Sequence, residues 1–148
     1  MTTPSSMIAF QVLVVDDHAA HRAYSRCVFE ALGCEVRVVE DGVKAIEAAR
    51  KHRFHLILMD RQMPYCDGDT AARAIRAEGA SKGAILVCHD IENPPFKVAR
   101  LYNRFVAKPA TTYDVIDLIP GRPKPRPISF NLRAFRRPAT ASMRALAA

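Results

Sequence analysis

Residues 56–68, LILMDRQMPYCDG, carry the reading on which the fold turns. Leu56–Met59 is an unbroken apolar run, too short for a helix, which is the pattern of a strand buried on both faces. A strand buried on both faces belongs to a parallel sheet with helices packed on each side. The run stops at a carboxylate, Asp60. After the turn residues, Asp67–Glu78 has helical spacing and Gly79 ends it.

The same alternation extends in both directions. Upstream, Gln11–Val15 reads as a buried strand. His18–Leu32 comes next as a helix with apolar or small residues at Ala20, Tyr24, Cys27, Val28, Ala31 and Leu32, stopped by Gly33. Glu35–Val39 is a second strand, and Val43–Lys51 is a helix opened by Asp41-Gly42. Downstream come a fourth strand, Ala84–Val87, a fifth, Arg104–Val106, and a final helix, Thr111–Ile119. Strands alternating with helices predict an α/β chain with a doubly wound, five-stranded parallel sheet. Two places break the rhythm. Asn93-Pro94-Pro95 restricts the fourth helix to about Phe96–Tyr102, and Pro120-Gly121 cuts off the last one.

Composition separates this domain from the segment after it. Of 148 residues, 49% are hydrophobic and 25% charged, enough apolar material for a core without disulfides. No apolar run reaches the ~18 residues of a membrane span, and the opening MTTPSSMIAF lacks a secretory pattern. A cytoplasmic protein without membrane insertion is expected. Cys27, Cys34, Cys66 and Cys88 are then reduced and mostly buried. The net charge of +7 is not spread evenly: residues 1–118 are balanced, and the whole excess lies in 119–148, which contain no acid. Five of the ten prolines lie there too. The expected organisation is a flexible N-terminus at 1–9, a folded domain at 10–119, and an intrinsically disordered basic tail at 120–148.

In a doubly wound sheet, ligands bind at the carboxyl ends of the strands. Asp16 and Asp17 come directly after the first strand, Asp60 ends the third, Cys88 ends the fourth and Lys108 comes after the fifth. Three carboxylates in one crevice repel each other unless a cation neutralises them, and a hard oxygen set suits Mg²⁺. A neighbouring lysine holds an anion that the metal also binds. The chemistry inferred is a phosphoryl group carried on Asp60. The plainer alternative for Asp16-Asp17 is a helix cap.

VLVVDD at 12–17, LILMDRQMPYCDG at 56–68 and FVAKP at 105–109 resemble, in order and spacing, the motifs of the CheY-like response-regulator receiver domains. The resemblance covers about residues 10–119. It implies that Asp60 is the phosphoacceptor and that Asp17 and Asp60 bind Mg²⁺ directly. Gln62 would add its backbone carbonyl, and Asp16 would act largely through water. It also implies a phosphoryl contact for Lys108, a cis Lys108–Pro109 bond, a switch aromatic at Phe105, and a histidine kinase or phosphotransfer protein as partner. Receivers carry Thr or Ser at the end of the fourth strand. Here Cys88 is aligned with that position, with His89 one residue off as the second candidate. A thiol is a weaker donor than a hydroxyl.

The tail favours arginine over lysine and interleaves it with Phe130 and Phe135. Arginine pairs bidentately with guanine and stacks on bases, and phenylalanine adds stacking faces. RPKPRP favours an extended chain; Ser129–Arg137 has a partly alternating pattern and Ala139–Ala148 is alanine-rich. A receiver with such a tail resembles the Cle family of CheY-like cyclic di-GMP effectors. That resemblance implies that Arg126, Arg133, Arg136 and Arg137 contact the nucleotide, with Ser129, Phe130, Asn131 and Phe135 alongside. Arg122, Lys124 and Arg144 are secondary candidates. It also implies docking on the flagellar motor switch, and hence recruitment to the flagellar pole. A monomer without turnover of an external substrate is expected. Nucleic acid is a less favoured partner, and a receiver signalling by phosphorylation of Asp60 alone is the alternative.

Overall fold

The computed structural model describes residues 8–122. Its elements are β1 (Gln11–Val15), α1 (Ala19–Ala31), β2 (Glu35–Val39), α2 (Gly42–Lys51), β3 (Leu56–Asp60), α3 (Gly68–Ala77), β4 (Ile85–Asp90), α4 (Phe96–Ala99), β5 (Arg104–Ala107) and α5 (Thr112–Asp117). The five strands form one parallel sheet in the order β2-β1-β3-β4-β5. The doubly wound architecture expected from the alternation is therefore present.

The apolar runs are continuous because each strand buries both faces. Leu13, Val15, Ile57, Met59 and Leu86 point to one side and pack with Ala45, Ala49, Ala71 and Ile75 of α2 and α3. Val12, Val14, Leu56, Leu58 and Val87 point to the other and pack with Phe29 of α1 and Val115 of α5. Each such fully buried side chain contributes about 1.5–3 kcal/mol of transfer free energy. This burial holds the strand ends at fixed positions.

Local chemistry starts and stops the helices. Asp41 and Asp67 accept hydrogen bonds from the Lys44 and Thr70 amides, capping α2 and α3. Thr111 and Asp114 form a capping box that starts α5. His18, the N-cap of α1, offers no side-chain cap, and Asp16 accepts from the His18 amide rather than from an amide inside the helix. At the other end of α1, Arg122 donates to the Leu32 carbonyl and pins the chain to the N-terminal edge of the sheet.

Two elements differ from the sequence reading. β4 does not end at Val87; Cys88, His89 and Asp90 continue it, because both β3 and β5 extend alongside. Ladder pairing on two sides outweighs the low strand propensity of these residues. α4 is only four residues long and ends at Ala99, and single-turn bonds from Leu101 and Tyr102 replace its continuation. All four cysteines are free; Cys34 and Cys88 are buried, Cys66 is partly so, and Cys27 is exposed. Among the described residues, no helix is long and apolar enough to cross a membrane.

Candidate phosphoacceptor site

The crevice lies at the carboxyl end of the sheet, where β1, β3 and β5 deliver their acidic and basic ends together. Asp16 and Asp60 are almost fully buried, at 1% and 3% exposure. Lys108 Nζ joins them, 3.1 Å from Asp16 Oδ2 and 3.0 Å from Asp60 Oδ1. Burial alone would raise the Asp16 carboxyl, but the His18 amide and the Lys108 ammonium hold it below its ordinary value. Asp60 goes the other way. Burial and the Asp16 charge raise it, and Lys108 only partly offsets them. Lys108 itself stays protonated, because its two carboxylate partners outweigh its desolvation.

The loop after β3 is shaped around this carboxylate. The Gln62 amide donates to Asp60 Oδ1 at 3.1 Å, and the Gly68 amide donates to the Arg61 carbonyl at 2.9 Å. A Cβ on Gly68 would lie 2.2 Å from the Asp60 carbonyl oxygen, so only glycine permits this approach. The Lys108–Pro109 bond is cis.

The residues present fit a hard divalent cation. Asp16, Asp17 and Asp60 converge, and Asp17 Oδ1 is a buried oxygen that accepts no hydrogen bond. Asp17, Asp60 and the Gln62 carbonyl would hold Mg²⁺, with Asp16 beside them. The ion would supply charge neutralisation for a phosphoryl group held there. The remaining chemistry belongs to the chain. Asp60 offers the attacking oxygen and Lys108 is placed to follow the phosphoryl charge.

Cys88 does not reach this crevice, which corrects its assignment to the phosphoryl group. The β3–β4 register pairs Met59 with Cys88 and Asp60 with His89. Paired residues in a parallel ladder point to the same face, so Cys88 turns with Met59 towards the α2 and α3 side. Burial pushes its thiol up to about 12, so no thiolate forms there. His89 shares the face of Asp60. It is 6% exposed, its Nε2 has no hydrogen-bond partner, and burial together with Lys108 pushes it down to about 4. A neutral imidazole therefore stands where receivers place a hydroxyl. It borders a cavity of about 620 Å³ that also touches His21, Tyr24, Ile91, Lys108 and Pro109. Phe105 is half-buried on β5 and paired with Cys88.

A polar network behind the crevice had no signal in the sequence reading. Arg61 donates from Nη1 to Asp90 Oδ2 at 3.1 Å and from Nε to Asp69 Oδ2 at 3.1 Å, and the Tyr102 hydroxyl donates to Asp69 Oδ1 at 2.7 Å. Burial and the Asp69 charge raise the Tyr102 phenol. The network ties the β3–α3 loop to the ends of β4 and α4. Its residues are spread over more than forty positions, so no local motif announces it. Arg122 is exposed on Leu32. Lys124, Arg126, Ser129, Phe130, Asn131, Arg133, Phe135, Arg136, Arg137 and Arg144 lie outside the described residues, as do 1–7 and 123–148 of the segments 1–9 and 120–148 expected to be flexible or disordered.

Known proteins share this arrangement. Residues 12–119 match the family model described as the response regulator receiver domain. The sensor protein GacS of Pseudomonas syringae pv. syringae is 43% identical over 79 residues, which are 53% of this chain and 9% of GacS. The transcription factor SKN7 of Saccharomyces cerevisiae is 33% identical over 112 residues, 74% of this chain and 18% of SKN7. The chain thus spans less than a fifth of these relatives. Among solved structures, the chemotaxis protein CheY4 of Vibrio cholerae superposes with a TM-score of 0.70 at 25% identity, over 75% of this chain and 96% of that one. The receiver domain of the sensor histidine kinase PA1611 of Pseudomonas aeruginosa, solved with magnesium in its active-site cleft, gives 0.68 at 24% identity, over 75% and 94%. With the family model covering the sheet, the acid pocket and Lys108 together, this chain belongs to the response regulator receiver domain family, in its CheY-like form.

Proposed function

We propose that this chain is a receiver whose output is set by cyclic di-GMP, captured by the arginine-rich segment after residue 119. The carrying observation is the charge split: a balanced domain continued by seven cations, six of them arginine, with no acid and with Phe130 and Phe135 interleaved. Arginine forks and aromatic faces suit a ligand made of guanines and phosphates. The domain supports the reading in two ways. His89 replaces the usual switch hydroxyl, and α4 and α5 are only four and six residues long. By its resemblance to the Cle effectors, the nucleotide-bound chain docks on the flagellar motor switch. It acts as a binding module in the cytoplasm rather than as an enzyme. Calorimetric titration of cyclic di-GMP into the full chain, with GTP as control, tests this. Saturable binding that is lost in R133A/R136A/R137A supports it, and absence of binding to the intact chain refutes it.

A second reading is favoured by the complete set Asp16, Asp17, Asp60 and Lys108. In it, Mg²⁺-dependent phosphorylation of Asp60 by a histidine kinase or phosphotransfer protein is the signal. Incubation with a small phosphodonor and Mg²⁺, then intact mass, decides it: an added phosphoryl group that D60N cannot take supports it, and no uptake excludes it. Both inputs converge on the same domain.

A further inference from the structure

The acid pocket contains two nitrogen donors beyond the carboxylates. His18 Nδ1 lies 2.9 Å from Asp17 Oδ1 and 3.6 Å from Asp16 Oδ1, and His21 Nδ1 lies 3.3 Å from Asp16 Oδ2. One ligand atom from each of Asp16, Asp17, His18 and Asp60 falls within a common 4.8 Å span. His18 Nδ1 and Asp17 Oδ1 stand at ion-pair distance without hydrogen-bond geometry, on side chains that are 65% and 26% exposed. A cation shared by the two lone pairs would hold them at the same distance. With metal–ligand bonds of about 2.1 Å, cis ligands of an octahedral ion stand about 3.0 Å apart and those of a tetrahedral ion about 3.4 Å. The 2.9 Å and 3.3 Å separations lie near these edges.

Both imidazoles are positioned by α1. His18 stands at its N-terminus, and its amide donates to Asp16 Oδ1 at 2.8 Å, which fixes the ring beside the two aspartates. His21 sits one turn later on the same side. Lys108 occupies Asp16 Oδ2 and Asp60 Oδ1, leaving Asp17 Oδ1 facing His18.

Mg²⁺ prefers oxygen and binds imidazole poorly, whereas imidazole suits late first-row dications. We propose that His18 is a direct nitrogen ligand of the ion in this pocket, with His21 next to it, and that the pair makes the pocket a Zn²⁺ site in competition with Mg²⁺. The proposal rests on the acid pocket being the cation site of the receiver. Zn²⁺ would hold the carboxylates through a closed, nitrogen-containing set and leave fewer positions for a phosphoryl oxygen. The domain would then sense the ratio of the two metals.

The test uses the full chain and compares wild type with H18A, H21A and D17N. Zn²⁺ affinity is measured by competition with a chelating dye, Mg²⁺ affinity by calorimetry, and the donor atoms by pulsed electron paramagnetic resonance of the Cu²⁺-loaded chain, Cu²⁺ sharing the preference for imidazole. Directly coordinated ¹⁴N is expected in wild type and is lost in H18A. H18A weakens Zn²⁺ by about tenfold or more while Mg²⁺ binding, which also reports that the variant is folded, stays near wild type. H21A gives a smaller loss. Unchanged Zn²⁺ affinity in H18A, absence of ¹⁴N coupling, or Zn²⁺ binding that D17N leaves intact overturns the proposal. If D17N leaves Mg²⁺ binding intact as well, the reading of the acid pocket as the cation site fails with it.

Discussion

Replacing Asp60 by asparagine should stabilise the protein when no divalent ion is present. Asp60 is 3% exposed and shares Lys108 with Asp16. At an effective dielectric near 20, the Lys108 ammonium at 3.0 Å attracts Asp60 by about 5 kcal/mol. The Asp16 carboxylate, about 6 Å away or less across the same ammonium, returns about 3 kcal/mol as repulsion. Desolvation of a buried carboxylate costs a further several kcal/mol, which leaves the ionised form slightly unfavourable. The raised Asp60 carboxyl has the same sign, with burial as its first cause. An acid raised on folding costs stability at every pH above both its values, and the cost is relieved as pH falls through the folded one. D60N removes that charge and leaves Lys108 paired with Asp16, so the unfolding free energy should rise by about 1 kcal/mol at pH 7.5 in EDTA. Mg²⁺ should reverse the order. At a hundred times its Kd, the ion adds about 2.7 kcal/mol to wild type and less to a variant lacking one ligand. Urea unfolding of both chains in EDTA and in excess Mg²⁺ measures all four values. The reasoning is refuted if D60N is the less stable chain in EDTA, or if Mg²⁺ leaves the order unchanged.

The same geometry sets three further outcomes. His89 is held neutral by burial, at about 4, so its contribution is complete above the ordinary imidazole value and is lost as pH falls from there towards 4. Wild type should lose up to about 3 kcal/mol over that window relative to H89N, and parallel urea midpoints at pH 7 and pH 5 would contradict this. R61A strands Asp90, which is 3% exposed, and unties Asp69; a loss of about 2 kcal/mol or more is expected, and a thermal midpoint within a degree of wild type would show the network to be inert. G68A drives a Cβ into the Asp60 carbonyl. A loss of about 1–3 kcal/mol with weaker Mg²⁺ binding should appear in unfolding and calorimetry, and unchanged Mg²⁺ affinity would mean that the loop does not set the Asp60 position.

The sheet and most of the acid pocket were legible because they depend on short-range patterns. Runs such as Leu56–Met59 state their burial in their composition, and Asp16, Asp17, Asp60 and Lys108 lie at strand ends that any doubly wound sheet brings together. The switch position was not legible. Cys88-His89-Asp90 looks like the start of a loop, and only the neighbouring strands show that it is a ladder. The pairing places His89, one residue beyond Cys88, opposite Asp60, and a one-residue change of register moves a side chain to the other face. The Arg61–Asp69–Asp90–Tyr102 network was missed for another reason. Each member reads as a solvated charge or a core aromatic until the fold sets them side by side. His18 and His21 carried a faint signal, helical spacing next to two aspartates, which becomes a cluster only once α1 is placed.

The bond from Arg122 to the Leu32 carbonyl sets a tether length. It lies at the far end of α1 from the acid pocket, and thirteen helical residues separate the two ends by about 20 Å. A chain advances at most about 3.5 Å per residue. While Arg122 stays bound, about six residues of extended backbone are needed beyond it to cover that distance. Under the proposed function, cargo bound by the chain beyond that anchor would be confined to a small volume around the domain, at an effective concentration on the order of millimolar. A weak contact between that cargo and the receiver surface would then be occupied most of the time, without any need for high affinity.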